Sequence, residues 1–477
     1  MKMKKIKLFL ILFLAGLILS AGAWECGKAP PTKRPQRRKA GEGFPPLPLP
    51  VTPLRRTEKK NPPAPPVLVG KVICGPEDKW TRAENDIENL LKILSRETGI
   101  TYRAIKINLS SFSFNPEEIP VLYITSVEPY RPEKYKDKIK KYLEKGGFIW
   151  ANASSGSPEF TKEFTSFISE IFPERNLYKV YSNHPLKLCF YNLNNLKILD
   201  NGVEKKSDLN LRILNIGCRA AVILSPYDLG CGWAMHTHPW GKRYIPEDAI
   251  KIGINMAVYS LTWIDYAKLY GITPVYEEKT KKVEGKIYVG QIEHSGDWNP
   301  HPSAMGKLLK LFAQQTDTSV YLETIPVDLK KDDLKNVPIL YITGHFNPKF
   351  SKEELKKLRK FLLSGGILIG DSCCGSEEFT ISFRKIVSEV LPEAKKVIPD
   401  QSSPVYQFPN RINISIKNFQ KVSPVEIYTL NGLPSIIFSP YGIGGEWEGI
   451  PRPFTSEIPE NVAKNLGINI LVYLLTH

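Results

Sequence analysis

The chain contains itself, and this duplication constrains its fold more than any other feature. VLYITSVEPYRPEKYKDKIKKYLEKGGFIWANASSGSPEFTKEFTSFISEIFPE (121–174) matches ILYITGHFNPKFSKEELKKLRKFLLSGGILIGDSCCGSEEFTISFRKIVSEVLPE (339–393) almost without gaps. Gly146-Gly147 meets Gly365-Gly366, Gly156 meets Gly375, and Pro173 meets Pro392. Upstream, GKVICG (70–75) reads against GKIYVG (285–290), and Trp80 against Trp298. Downstream, AVILSPYDLGCGW (221–233) meets SIIFSPYGIGGEW (435–447), and KIGINMAVYSL (251–261) meets KNLGINILVYLL (464–475). Units of this length exceed the periods of solenoid repeats, so each is a whole domain. The expected domains are residues 70–272 and 285–477, joined by the polar linker TPVYEEKTKKVE at 273–284.

Each copy alternates strand-like and helix-like segments. In the second, SKEELKKLRKFLLSGG is an amphipathic helix with Ser351 as N-cap and Gly365-Gly366 as its stop. GILIG is a buried strand, and SEEFTISFRKIVSEVLP another amphipathic helix. Strands alternating with helices through short connections imply a parallel sheet covered on both faces. The expectation is therefore α/β: two tandem flavodoxin-like three-layer sandwiches with parallel sheets.

The N-terminus is different in kind. Lys2, Lys4, Lys5 and Lys7 precede an uncharged run from Leu8 to Trp24 that ends in Ala21-Gly22-Ala23, the pattern of an export signal over residues 1–23. The same apolar run would otherwise be an uncleaved anchor. Residues 24–69 are rich in proline and base, which makes a stiff, extended linker. The formal charge of +16 is concentrated there: residues 1–69 hold 14 Lys or Arg against Glu25, Glu42 and Glu58. A basic tether suits an anionic membrane surface or wall polymer, and no nucleic-acid face is expected in the folded part. The seven cysteines form no CxxC pair or zinc-ribbon spacing, so neither a disulfide framework nor a structural zinc site is expected.

Asp297-Trp298, the run Tyr341 to His345, the helix ending in Gly365-Gly366 and the D-x-C-x-G-x-x-x-F stretch from Asp371 resemble the family called domain of unknown function 4159. The later SPYDLG and SPYGIG stretches are similar to its C-terminal part. The resemblance covers nearly all of residues 70–477, in two copies. It implies a class I glutamine-amidotransferase-like fold and a bacterial envelope setting beside membrane-anchored proteins, with no established activity. In amidotransferases of this class a nucleophilic cysteine sits at a strand tip. Counting four residues from Gly365-Gly366 puts Asp371 at the tip, ahead of Cys373 and Cys374. The first copy has Asn152, Ser154 and Ser155 opposite these three. The cysteines are thus expected to be small, partly buried turn residues.

Ligands of open parallel sheets sit outside the carboxyl ends of the strands. That rule collects His294, Asp297, His345 and Asp371 as candidate metal ligands, with Glu293 and His301 close in sequence. Asp371, His345 and Asp297 are the candidate catalytic residues, and Trp298 and Cys374 candidate ligand contacts. Asp371 would equally serve as a helix cap. The first copy has lost this set, with Lys79, Val127 and Asn152 in place of Asp297, His345 and Asp371. Its His236-x-His238 pair reads as a loop rather than a metal site, and Trp80, Trp233, Trp298 and Trp447 as core rather than sugar platforms. The leading expectation is an exported envelope protein, non-catalytic, binding a partner protein, glycan or small ligand without a cofactor. The alternative is a hydrolase of carbohydrate or amide, working through Asp371 and His345 with a divalent metal.

Overall fold

The structure is a computed structural model that describes residues 65–80, 82–236, 240–270, 287–414, 423–449, 452–454 and 458–477, without the side chains of 269–270. The expected export signal, nearly all of the proline-rich linker, the 273–284 linker and His238 lie outside the described residues.

In the first copy β1 (Val67–Val72) leads through α1 (Glu77–Trp80) and α2 (Asp86–Thr98) to β2 (Tyr102–Ile107). Then come β3 (Val121–Ser126), α3 (Lys136–Glu144), β4 (Phe148–Ala153), α4 (Pro158–Ile171) and β5 (Tyr178–Lys179). Two hairpins follow, β6 (Leu196–Asp200) with β7 (Val203–Ser207), and β8 (Arg212–Ile216) with β9 (Arg219–Ser225). α5 (Gly230–Trp233), β10 (Lys242–Tyr244) and α6 (Pro246–Tyr270) complete it.

The second copy begins with β11 (Val289–Ile292), α7 (Ala304–Thr316), β12 (Ile325–Val327) and β13 (Ile339–Gly344). It continues with α8 (Lys352–Leu363), β14 (Ile367–Ser372), α9 (Glu377–Val390) and β15 (Lys395–Val397). It closes with the hairpin β16 (Glu426–Leu430) and β17 (Leu433–Ser439), then α10 (Gly444–Trp447) and α11 (Glu460–Thr476).

The two seven-stranded sheets have the same order, β2-β1-β3-β4-β9-β8-β5 and β12-β11-β13-β14-β17-β16-β15. Their first five strands are parallel and follow the flavodoxin-like order. The last two on one edge run antiparallel, so each sheet is mostly parallel, as expected, with an antiparallel edge. Each sheet has a hydrophobic core on both faces. In the first copy α2 and α6 pack over Tyr123, Trp150 and Ile223, while α3 and α4 cover Leu122, Ile149 and Leu224 on the opposite face. The second copy repeats this with Tyr341 and Ile369 against Leu340 and Phe438. Alternation along the strands sends successive side chains to the two cores. α8 forms where expected: the Ser351 hydroxyl accepts from the Glu354 N–H, and the Glu354 carboxylate accepts from Ser351 N–H.

One correspondence needs correction. Lys71 lies opposite Tyr123 just as Gln291 lies opposite Tyr341, so Gly70 corresponds to Gly290 rather than to Gly285. The buried strands pair by their neighbours across the sheet, and the Gly-Lys dipeptide common to both copies does not set that register. The first copy also carries a separate three-stranded antiparallel sheet, β10-β6-β7. Its β10 end packs directly on Ser155 and Gly156, at the carboxyl end of β4. Among the described residues the second copy has no counterpart of this sheet.

Asp371 is not at a strand tip, because β14 runs on to Ser372 and the Asp371 side chain is fully buried. Its Oδ1 accepts from Ile443 N–H (2.8 Å) and its Oδ2 from Gly444 N–H (3.1 Å), anchoring the chain as it enters α10. Asn152 does the same in the first copy, its Oδ1 accepting from Leu229 N–H at 2.8 Å. The position is therefore a structural anchor in both copies. Asp371→Asn keeps the acceptor for Ile443 and is expected to cost about 1 kcal/mol, whereas Asp371→Ala strips both backbone donors and costs about 2–3 kcal/mol. Thermal unfolding checks this order, and a wild-type midpoint for Asp371→Ala would remove the anchoring role.

Candidate functional site

Beyond Ser372 the chain makes a tight turn, Cys373-Cys374-Gly375, into α9. Ser376 N–H bonds the Cys373 carbonyl (3.1 Å), and the Ser376 hydroxyl caps α9 by accepting from Phe379 N–H (3.4 Å). Cys374 sits at φ 53°, in the left-handed region, and Ser155 holds the same place in the first copy at φ 55°. Such a conformation is uncommon for a non-glycine residue and concentrates at functional turns. The residue at the apex is thus Cys374, and the count that selected Asp371 stopped inside the strand.

The first copy completes the site. The turn joining β8 to β9, Gly217-Cys218, sets the Cys218 sulfur 3.4 Å from that of Cys373, itself 3.8 Å from Cys374. His345 follows directly on β13. One donor atom each from Cys218, Cys373, Cys374 and His345 lies within 4.8 Å of the others. Three of the four side chains are buried and Cys374 is half-buried. His345 is oriented from behind: its Nδ1 is 2.7 Å from Asp297 Oδ2, whose Oδ1 accepts from Arg175 of the first copy at 2.9 Å. The Nε2 of His345 has no hydrogen-bond partner. On the other side His301 Nε2 lies 3.1 Å from the Cys373 sulfur and 3.3 Å from that of Cys218. Its Nδ1 faces Glu448 at 3.8 Å, and Glu448 accepts from Ser303 N–H and pairs with Arg452. Asn183 of the first copy clamps the turn, donating to Gly375 O (2.8 Å) and accepting from Glu377 N–H (3.1 Å). Beside it the Tyr178 ring stacks on Phe346 with centroids 4.2 Å apart.

The thiols share a coupled titration. Burial alone would raise Cys218, but hydrogen bonding with Cys373 and Cys374 and the field of His301 hold it well below the usual thiol range. Burial and the Cys218 thiolate push Cys373 well up, and Cys218 is the main cause that raises Cys374 to about 11. Burial opposes charge on His345 and His301. The contact with Asp297 outweighs it at His345 and the Cys218 field does so at His301, so both imidazoles are raised. The surroundings therefore favour the thiolate on Cys218 and the charged form on both histidines.

Of the sequence candidates, His345, Asp297 and Cys374 come together here. His294 does not join them: its Nε2 bonds the Thr343 carbonyl (2.9 Å) and its Nδ1 accepts from Gly296 N–H (3.0 Å), so neither nitrogen is free to ligate. Asp371 is occupied as an anchor. Glu293 is exposed, and Trp298 is half-buried with its carbonyl accepting from Gln291. Trp233 and Trp447 are core, each bonding an equivalent carbonyl, Ala249 or Ala463. Sequence reasoning missed Cys218, Cys373 and Arg175. Cys218 and Arg175 reach the site only through the packing of one copy on the other, which no linear spacing signals, whereas Cys373 lies beside Cys374 in the same turn and was set aside as a turn residue. The cysteines lack zinc-type spacing in the sequence, yet Cys218, Cys373 and Cys374 meet His345 in one cluster assembled from three separate stretches.

The family model for a domain of unknown function, DUF4159, matches residues 69–261 and again 288–475. The chain belongs to this family, in two tandem copies that coincide with the two sheets. A search of curated proteins finds no match.

The site's setting also titrates. His184, packed on Tyr181 beside the Asn183 clamp, is buried and accepts from Leu186 N–H at 3.1 Å through Nδ1. Burial lowers it from 6.5 to about 3, so the folded chain keeps it neutral where the unfolded chain binds a proton. Its stabilising contribution is full above pH about 6.5 and is lost as pH falls toward its folded value. In thermal unfolding, the advantage of wild type over His184→Asn should shrink steadily from pH 6.5 to 4. A constant gap would contradict this assignment.

Proposed function

We propose that this member of the DUF4159 family is an exported, non-catalytic binding protein whose copies are joined by a thiophilic divalent metal, zinc foremost, on Cys218, Cys373, Cys374 and His345. One observation carries the reading: three thiols and an imidazole from both copies converge within 4.8 Å, and the imidazole presents an unpartnered Nε2. Zinc bonds of about 2.3 Å to sulfur and about 2.0 Å to nitrogen give tetrahedral edges of roughly 3.5–3.8 Å. The Cys373–Cys374 sulfur separation of 3.8 Å matches such an edge and the Cys218–Cys373 separation of 3.4 Å falls just short of it, so donors within 4.8 Å of one another would need to shift by about 1 Å at most to close on the ion. Metal-bound histidine ordinarily gives its other nitrogen to a carboxylate, which is the place of Asp297. Charge supports it too. A zinc ion with three thiolates and a neutral imidazole carries one net negative charge. Around it stand the cations Arg175 and Arg452 and the anions Asp297 and Glu448, which sum to zero, and His301, whose raised affinity for a proton would offset the remaining negative charge.

Four protein ligands close the coordination sphere, which is the pattern of a structural site and favours binding over catalysis. The residues would hold the metal as a cross-link between copies, with His301 donating to the sulfurs. Export rests on the N-terminal pattern of lysines and apolar residues, and envelope attachment on the basic, proline-rich tether. A second reading, a thiol-dependent hydrolase of amide or carbohydrate, is favoured by Cys374 on its left-handed turn near the His345–Asp297 pair. A thiol raised to about 11 beneath the first copy weakens that reading.

Elemental analysis of the purified chain is expected to find about one zinc per chain, with cobalt exchange producing sulfur-to-metal charge-transfer bands. Cys218→Ser and Asp297→Asn should each weaken metal affinity by about 10- to 100-fold, while Asp371→Asn leaves stoichiometry unchanged. A folded, metal-free chain would overturn the proposal, as would a Cys218–Cys373 disulfide found by mass spectrometry. Rapid alkylation of Cys374 in the metal-free chain would point to the thiol hydrolase.

A further inference from the structure

We propose that the first copy binds an acidic sugar, one bearing a carboxylate or a phosphate, in a groove that shares no residue with the Cys/His cluster. The groove encloses about 530 Å³ at the carboxyl edge of the sheet, between α4 and the ends of β8, β9 and β10. That volume is in the range of small-molecule sites, about 300–1,000 Å³, and the edge is where open α/β sheets bind ligands. Its charged lining is Lys162, Arg212 and Lys242, with no carboxylate among the lining residues. Arg212 is half-buried and, like Lys162, has no ion-pair partner among the described residues. The Lys242 ammonium lies 5.9 Å over the ring of Tyr227, a half-buried aromatic wall, and 3.9 Å from Asp200, which it shares with Lys205, so Arg212 and Lys162 are the lining cations left for a ligand. Thr165 and Asn210 add a hydroxyl and an amide.

The second copy supplies an internal control. Arg212 pairs with Leu224 and Glu426 with Phe438, which are equivalent positions of the β8–β9 and β16–β17 hairpins. Where the first copy has Arg212, the second therefore has Glu426. Where the first has Thr165, the aligned sequence has Arg384. In the second copy Glu426 pairs with Arg384 and with Lys396, and accepts from the Tyr428 hydroxyl at 2.9 Å. The same backbone location is thus neutralised from within in one copy and left cationic in the other. A half-buried guanidinium favours a charge-assisted, two-pronged bond to a carboxylate or phosphate. In the first copy that anion has to come from outside the lining, and the aromatic wall with the neighbouring hydroxyl and amide suits a hydroxylated ring.

The test is calorimetric titration of the full chain at low salt with glucuronate, glucose 6-phosphate, glucose and inorganic phosphate. One or both acidic sugars should bind, and which of them does distinguishes carboxylate from phosphate. Glucose and inorganic phosphate should bind at least about tenfold more weakly. Arg212→Glu combined with Thr165→Arg installs the second copy's ion pair, and should abolish binding with the unfolding midpoint unchanged. Lys162→Ala, at an exposed position, should weaken binding without touching the fold. Equal binding of glucose, of free phosphate, or of the acidic sugars by the double variant would overturn the proposal.

Discussion

The contact on which the rest depends is the seating of the Gly217-Cys218 turn over the turn Cys373-Cys374-Gly375. A left-handed turn at the end of a buried strand exposes backbone groups and polar side chains that neither of its own cores can cover. In the second copy that cover comes from the first: Cys218 lies against the sulfurs, Asn183 satisfies the turn's backbone, and Arg175 neutralises Asp297. Burying such groups is tolerable only when each is paired, since an isolated buried charge costs far more than its contacts return. The chain of Arg175, Asp297 and His345 on one side, and of His301, Glu448 and Arg452 on the other, pairs the charges and leaves His345 Nε2 as a buried nitrogen without a partner.

Much of the fold was legible because local patterns and the duplication agree. Helix α8 announces itself through Ser351, Glu354 and Gly365, and the apolar runs of β13 and β14 read as strands buried on both faces. The antiparallel edge was less legible, since a short strand such as β15, all three residues exposed, has no apolar periodicity to read. The site was legible only in part. His345 and Asp297 follow from the rule of strand ends, but Asp371 was mistaken for a tip residue because counting from a glycine pair cannot say where a strand stops. The cysteines were set aside on spacing. Their partner sits 155 residues away in the other copy, and that proximity is a property of packing alone.

Duplication also separates scaffold from chemistry. What both copies share is structural: the Asn152 and Asp371 anchors, the Trp233 and Trp447 bonds, and the left-handed turn at Ser155 and Cys374. What differs has chemical meaning: thiols for hydroxyls at that turn, an imidazole for Val127, and reversed charge at Arg212 and Glu426. One backbone has been kept while the residues at the ends of its strands diverged.

The way the copies meet has a consequence for assembly. The amino-terminal end of one sheet sits on the carboxyl end of the next, a head-to-tail contact that between like units could repeat without limit. Among the described residues, neither free end repeats the chemistry of that contact. The turn of the second copy that corresponds to Gly217-Cys218 is Asn431-Gly432, which offers no sulfur to a further unit. The corresponding landing place on the first copy is roofed by β10 and carries Ser154 and Ser155 in place of cysteines. The two copies thus share one backbone while their free ends carry different chemistry, as terminal units of repeat arrays commonly do.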